Sequence, residues 1–187
     1  MNTATTIAPN EEAQANTDFL PLQGTDYVEF YVGNAKQAAH YYMSAFGFQA
    51  LAYAGPETGV KDRASYVVRQ HKLTFVLTTP IRANNEIADH IYKHGDGVKF
   101  LVLRVDDATD AWQQTTQRGG RSFMEPQRLT DSDGEGVLGG IINYGESVQL
   151  FGIDIALAVG DLFRAGHLQA LALFNRGDEL GSVEQRI

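Results

Sequence analysis

A 73-residue spacing between matching features constrains the fold of this 187-residue chain more than any other feature. Three pairs of residues share it: Val32 and Val105, Asn34 and Asp107, and Gly47 and Gly120. In each copy a strand-like segment is followed by a helix-capping residue type and, later, by a glycine that stops the helix. The sequence therefore predicts two copies of one β-α-β-β-β unit, each needing the other to bury its sheet.

The repeat predicts the domain organisation and an α+β fold class. A paired-module domain is expected at residues 21–152, with module 1 at about 24–80, a connector helix at 82–94 and module 2 at about 97–152. Residues 1–20 carry few large apolar side chains and are predicted to be a disordered tail. Residues 153–187 are rich in Ala and Leu without a clear pattern, so a divergent C-terminal tail is expected.

The segment Arg63–Thr79 shows the strand pattern of one module most clearly. It predicts strands at Ala64–Arg69 and Leu73–Thr78, joined by a short polar turn. The second strand alternates, with Leu73, Phe75 and Leu77 on one face and Thr74, Val76 and Thr78 on the other. One face is expected to meet a core, and the other to face solvent or line a cavity.

Composition excludes several classes of function. The formal net charge is −8 and the Lys and Arg residues do not cluster, so no nucleic acid is expected as a partner. No apolar run approaches the roughly 20 residues that cross a bilayer, so no membrane association is expected. The chain has no cysteine, which fits a cytoplasmic location and rules out thiolate chemistry.

Three phrases carry a resemblance to a known family. PLQGTDYVEFYVGNAKQAAHYYMSAFGF, ASYVVRQHKLTFVLTTP and HGDGVKFLVLRVDDA are similar to the N-terminal domain of the 4-hydroxyphenylpyruvate dioxygenase family. That family lies within the vicinal-oxygen-chelate superfamily, with glyoxalase I and the bleomycin-resistance proteins. The resemblance covers roughly Pro21 to Phe151 and implies the paired-module fold of that superfamily.

The resemblance also implies a reaction. The family converts 4-hydroxyphenylpyruvate and O₂ to homogentisate and CO₂ in tyrosine catabolism, at a non-haem Fe(II) held by two His and one Glu. In the family those ligands lie in a second, C-terminal domain. The expectation is therefore that this chain binds no cofactor, has no catalytic residue and corresponds to the non-catalytic N-terminal half of a truncated 4-hydroxyphenylpyruvate dioxygenase-like protein.

In the superfamily, metal ligands come from the first and fourth strands of each module. The 73-residue spacing assigns these corner positions to Tyr27, Val76, Phe100 and Gln149. Gln149 alone is a plausible donor, and one neutral amide does not make a site for a transition metal. No metal is predicted there, and the four residues are instead candidates to line a cavity between the modules.

The histidines give no better metal site. His90 and His94 lie four residues apart on the connector helix, a spacing that can bind zinc on one helical face. Beyond Asp89 no third ligand is evident nearby, and exposed polar helix residues explain the pair more simply.

Three functional hypotheses follow. The first is the inactive dioxygenase half described above. The second is a non-enzymatic module that binds a small molecule, such as a small aromatic acid, in the cavity between the modules. The third is a structural domain that pairs with itself or with a complete homologue, and apolar surface around the C-terminal tail favours a weak homo-oligomer.

Overall fold

Eight strands and three α-helices are found in the part of the chain that the computed structural model describes, residues 18–130, 135–142 and 147–153. The strands are β1 (Leu22–Tyr31), β2 (Gln49–Ala54), β3 (Arg63–Gln70), β4 (Leu73–Pro80), β5 (Gly97–Val105), β6 (Arg121–Thr130), β7 (Glu135–Ile142) and β8 (Val148–Ile153). The helices are α1 (Ala35–Phe46), α2 (Glu86–His94) and α3 (Ala108–Gln117). The strands form one sheet in the order β2-β3-β4-β1-β5-β8-β7-β6, which confirms the α+β class.

Each half of this sheet is one β-α-β-β-β unit. β1 pairs in parallel with β4, and β5 pairs in parallel with β8. The halves join where β1 and β5 run antiparallel, with Tyr27 opposite Val102 and Glu29 opposite Phe100. Phe100 lies 73 positions after Tyr27, and Val102 lies 73 positions after Glu29. The two cross-pairs therefore exchange equivalent residues of the two modules, which is the symmetry that the repeat predicts. The paired-module architecture is confirmed.

The capping residues identified in the sequence begin their helices. The side chain of Asn34 accepts a hydrogen bond from the backbone N–H of Gln37 at the start of α1. At the start of α3 one carboxylate oxygen of Asp107 accepts from the backbone of Thr109 and Asp110. Both contacts satisfy backbone donors that a helix leaves open at its first turn.

The connector helix is shorter than predicted. It begins at Glu86, four residues after the expected start at residue 82, because Asn85 caps it by accepting from the backbone N–H of Ala88. The amide nitrogen of Asn85 also donates to the carbonyl oxygen of Asp62, which ties the start of α2 to the residue before β3. The helix start is therefore set by a cap that also makes a tertiary contact.

The two faces of the sheet bury different cores. The outer face packs against α1 and α3: Leu77 and Phe75 lie in the cluster with α1, and Phe151 lies in the cluster with α3. The opposite face, called the inner face below, holds a cluster that includes Tyr27, Val76, Phe100, Val102 and Leu150 and that draws residues from both modules. This cluster is why neither module buries its sheet alone.

The predicted alternation of β4 matches this division. Phe75 and Leu77 face α1, whereas Thr74, Val76 and Thr78 are buried on the other side of the strand. Leu73, at the start of the strand, stays 53% exposed. The second face therefore contacts a core as well and does not face solvent.

Two residues before the predicted domain start at residue 21 make tertiary contacts. Leu20 packs against the core beneath α3, and the guanidinium of Arg118 lies 3.8 Å from the centre of the Phe19 ring. The tail prediction thus does not apply to these two residues. The rest of that prediction, residues 1–17, and the C-terminal tail from residue 154 lie outside the described residues. No helix in the described ranges is both long and apolar enough to span a bilayer.

Candidate functional site

Three of the four corner residues meet in one cluster on the inner face. Tyr27 on β1, Val76 on β4 and Phe100 on β5 are 1%, 2% and 9% exposed. They come together because β1 lies between β4 and β5 in the sheet, and because the three side chains point to the same side. Whether they line a ligand cavity stays a prediction.

Gln149 does not join them. It lies opposite Leu101 of β5 and Ile141 of β7, on the face where Ile141 and Phe151 pack against the α3 core. Its amide nitrogen donates to the carbonyl oxygens of Leu101, at 2.7 Å, and Leu150. The corner that the spacing assigned to Gln149 is occupied instead by Leu150, which lies in the inner-face cluster.

A one-residue shift explains this correction. Glu29 lies opposite Val76 in module 1, and Val102 lies opposite Leu150 at the matching place in module 2. Val102 is 73 positions after Glu29, but Leu150 is 74 positions after Val76. The first module spans nine positions between the paired residues Val67 and Val76, and the second spans ten between Gly140 and Leu150. Because side chains alternate along a strand, one extra residue between β7 and β8 moves every later side chain to the other face.

Glu29 is the functional candidate that the corner analysis missed. It lies between Tyr27 and Tyr31 on the inner face of β1 and is 9% exposed. The hydroxyl of Thr78 donates to its Oε1 atom at 2.7 Å, and the hydroxyl of Ser65 lies 2.8 Å from that of Thr78. The signal in the sequence is a charged residue in the middle of an apolar strand, on the same face as Tyr27.

The surroundings of Glu29 favour its protonated form. Together they raise the pKa of the carboxyl from 4.5 to about 7; burial has the largest effect, and the carboxylate of Glu86 on α2 acts in the same direction. The Thr78 hydrogen bond and the charge of Arg63 oppose this rise. Because a hydroxyl both donates and accepts, the Ser65–Thr78–Glu29 chain can persist in either protonation state. The site holds a carboxyl that titrates near neutral pH.

Tyr27 adds an unsatisfied polar group beside Glu29. Its hydroxyl is buried and has no hydrogen-bond partner among the described residues. Burial, followed by the charges of Glu29 and Asp26, raises the pKa of this hydroxyl well above its usual value, so it stays protonated. Burial and Glu29 also raise the pKa of Tyr31. A buried hydroxyl without a partner is rare in folded proteins and calls for an explanation.

The inner face does not fit the iron centre that the superfamily suggests. Its corner positions carry a neutral tyrosine and the apolar side chains of Phe100, Val76 and Leu150, whereas such a centre needs two imidazoles and a carboxylate with open positions. Glu29 supplies a single carboxylate. Across the described ranges, no group of three or more His, Cys, Asp or Glu side chains has an arrangement that could hold a metal ion.

The two histidines of α2 differ from the sequence expectation in one respect. His90 is 7% exposed and lies edge-on to Tyr31, with 5.5 Å between ring centres, so it is not an exposed surface residue. His94 lies on the exposed side of the helix, and its ring centre is 4.6 Å from that of His90. The spacing of four residues thus joins a core ring to a surface ring.

Comparison with known proteins agrees with this architecture. Residues 24–143 match the family described as the Glyoxalase/Bleomycin resistance protein/Dioxygenase superfamily. A 4-hydroxyphenylpyruvate dioxygenase from Dictyostelium discoideum is 40% identical over 132 residues, which cover 70% of this chain. The chain spans only 36% of the length of that relative.

Solved structures show the same fold. A mutant of 4-hydroxymandelate synthase from Streptomyces coelicolor superposes with a TM-score of 0.65 at 25% identity, over 71% of this chain and 38% of that chain. Methylmalonyl-CoA epimerase from Mycobacterium tuberculosis superposes with a TM-score of 0.55 at 17% identity, over 73% of this chain and 90% of that chain. The second likeness concerns the fold alone. It shows that a paired-module unit of this size makes up most of some proteins.

Proposed function

Because the chain belongs to the Glyoxalase/Bleomycin resistance protein/Dioxygenase superfamily, we propose that it acts as the non-catalytic half of a 4-hydroxyphenylpyruvate dioxygenase-like protein. Its role is to supply the folded domain that accompanies an iron-binding domain, in the family reaction that forms homogentisate and CO₂. The contrast between the sequence identity to this family and the residues at the inner-face corners carries the proposal. The sequence is 40% identical to such an enzyme over 132 residues, yet the corners of the inner face hold Tyr27, Val76, Phe100 and Leu150, which do not suit iron.

The proposal separates folding from chemistry. The inner-face cluster joins both modules, so the chain has the core of a complete domain. The same cluster occupies the places from which iron ligands would project. We therefore expect the purified chain to fold without iron, and oxygenase activity to require an iron-binding domain as well.

Oxygen uptake and metal analysis test this proposal. The purified chain, supplied with Fe(II), 4-hydroxyphenylpyruvate and O₂, is expected to consume no oxygen above the buffer rate and to form no homogentisate. After gel filtration it is expected to retain far less than one iron per chain. Stoichiometric iron that survives gel filtration, with homogentisate formation that depends on a histidine of this chain, would refute the proposal.

A binding module on the inner face is the second candidate function. The hydroxyl of Tyr27 favours it, because this buried group has no hydrogen-bond partner among the described residues and a bound polar group would supply one. The ligand proposed for this site is a small aromatic acid. Thermal shifts in the presence of 4-hydroxyphenylacetate, with the Tyr27→Phe variant as control, test the idea. A shift that disappears in the variant supports it, and equal shifts in both proteins count against it.

Association and location are part of the same proposal. A domain that accompanies another has a surface shaped to meet it, so weak self-association or binding to a complete homologue is expected when the chain is alone. A cytoplasmic setting is proposed because the chain contains no cysteine and its relatives act on a small metabolite. Light scattering over a range of protein concentrations tests the expected self-association.

A further inference from the structure

A surface cavity of about 490 Å³ lies where the end of α1 meets the start of β2 and the end of β3. Its lining includes Gly47, Leu51, Arg69, Gln70 and His71. The volume is within the range of known small-molecule sites. Leu51 also packs against the inner-face cluster, whereas the cavity itself opens at the edge of the sheet and is not explained by the dioxygenase resemblance.

Arg69 is the charged group that defines the chemistry of the cavity. It pairs across the sheet with Thr74 of β4, and its Nε atom donates to the Thr74 hydroxyl at 3.0 Å. Thr74 is buried, so this bond fixes the base of the guanidinium group. Within the described residues the guanidinium makes no ion pair, which leaves its terminal N–H groups available to an anion.

Beside the guanidinium, the lining offers amide and apolar groups. The amide nitrogen of Gln70 donates to the carbonyl oxygen of Phe46 at 2.7 Å, which fixes that side chain at the rim. Gln49 adds a second amide, and Leu51 adds an apolar surface. No Asp or Glu among the described residues lines the cavity, although the chain as a whole has a formal net charge of −8.

We propose that this cavity binds a small organic carboxylate. The planar guanidinium can pair with a carboxylate through two parallel hydrogen bonds, and the Leu51 side offers contact to an apolar body. A single arginine suits a monoanion better than a polyphosphate, for which several cationic groups are usual.

Nuclear magnetic resonance titration tests the proposal on the full chain labelled with ¹⁵N. The probe is benzoate, and benzamide is the neutral analogue of the same shape. Benzoate is expected to move the backbone amide signals of Gly47, Gln70 and His71, whereas benzamide moves them far less. In the Arg69→Gln variant the dissociation constant for benzoate is expected to rise about tenfold. The exposed Arg82→Gln change, which removes the same charge elsewhere, is expected to leave it unaltered.

The outcomes separate this site from non-specific binding. Equal weakening by the Arg69 and Arg82 changes would mean that net charge governs binding, and the proposal fails. It also fails if benzamide binds as well as benzoate, or if the affected signals cluster at Tyr27 and Glu29 instead. Because Arg69 is exposed, the variant is expected to fold, and its unperturbed amide spectrum serves as the check. These results do not depend on the proposed role as a dioxygenase half, which the oxygen-uptake experiment addresses.

Discussion

The two modules have the same arrangement of strands and helices but bury different side chains at matching positions. In module 1 Glu29 lies beside Val76 on the inner face, and in module 2 the matching pair is Val102 and Leu150. One pair contains a buried carboxyl and the other is wholly apolar. The difference shows that the repeat preserves the strand pairing and the helix positions, while the chemistry of the inner face is concentrated in one half.

The next pair of opposed residues on the same face explains why only one module can hold a buried carboxyl. Thr78, which donates to Glu29, lies opposite Tyr31, and the matching place beside Arg104 is taken by Gly152. Module 2 therefore has no hydroxyl where module 1 has its donor. A buried carboxyl needs such a partner, because burying a polar group without a hydrogen bond is costly.

The largest expected effect comes from moving the carboxyl into the other module. Val102→Glu places it at a fully buried position opposite Leu150, and the next pair along the strands has Gly152 where module 1 has Thr78. We expect the free energy of unfolding at pH 8 to fall by about 4 kcal/mol or more, or the chain not to fold. Urea denaturation measures this. A variant as stable as the original protein would mean that the two inner faces are not chemically different.

Removing Leu150 tests the register that distinguishes the second module. Leu150→Ala is expected to lower the free energy of unfolding by about 3 kcal/mol, because the side chain is fully buried in the shared cluster. Gln149→Ala is expected to cost about 1 kcal/mol through the loss of its hydrogen bonds to backbone carbonyls. If the Gln149 change lowered the free energy of unfolding more than the Leu150 change in urea denaturation, Leu150 would not be the residue at the corner of the inner face.

Glu29→Gln tests whether the buried carboxyl makes stability depend on pH. The folded protein binds the proton more tightly than the unfolded chain, whose pKa is near 4.5, so stability falls as pH rises from about 4.5 to about 7. The full difference in that window corresponds to roughly 3 kcal/mol. Glutamine cannot ionise, and its amide oxygen can still accept from Thr78.

The variant is therefore expected to lose this fall and to be more stable than the original protein at pH 8, by about 1–3 kcal/mol. Urea denaturation at several pH values between 5 and 8 provides the measurement. The exposed Glu125→Gln is the matched control and should retain the fall. A parallel pH dependence in the Glu29 variant would show that another group is responsible.

The smallest effect is expected for Tyr27→Phe. The change removes a buried hydroxyl that has no partner among the described residues, so we expect unchanged stability or a gain of up to about 1 kcal/mol in thermal or urea denaturation. A loss of more than about 1 kcal/mol would indicate that the hydroxyl has a partner in solution. That result would favour the binding function proposed for the inner face.

The sequence determined the features that depend on local chemistry and on spacing. Asn34 and Asp107 begin their helices because their side chains accept backbone hydrogen bonds within the next three residues. Gly47 ends α1 with a φ of 74°, which glycine adopts without steric cost. The 73-residue spacing between such signals was sufficient to predict two modules, and the alternation of β4 to predict its two faces.

The tertiary structure alone decided which residues meet on the inner face. The extra residue between β7 and β8 placed Leu150 there and turned Gln149 away, because the pairing of β8 with β5 and β7 sets its register. The tertiary structure also brought together Thr78, Ser65 and Glu29, which are distant along the chain: the Thr78 hydroxyl is within hydrogen-bond distance of the Ser65 hydroxyl and of the Glu29 carboxyl. Burial and hydrogen-bond partners of this kind depend on contacts between distant segments, which spacing along the chain does not specify.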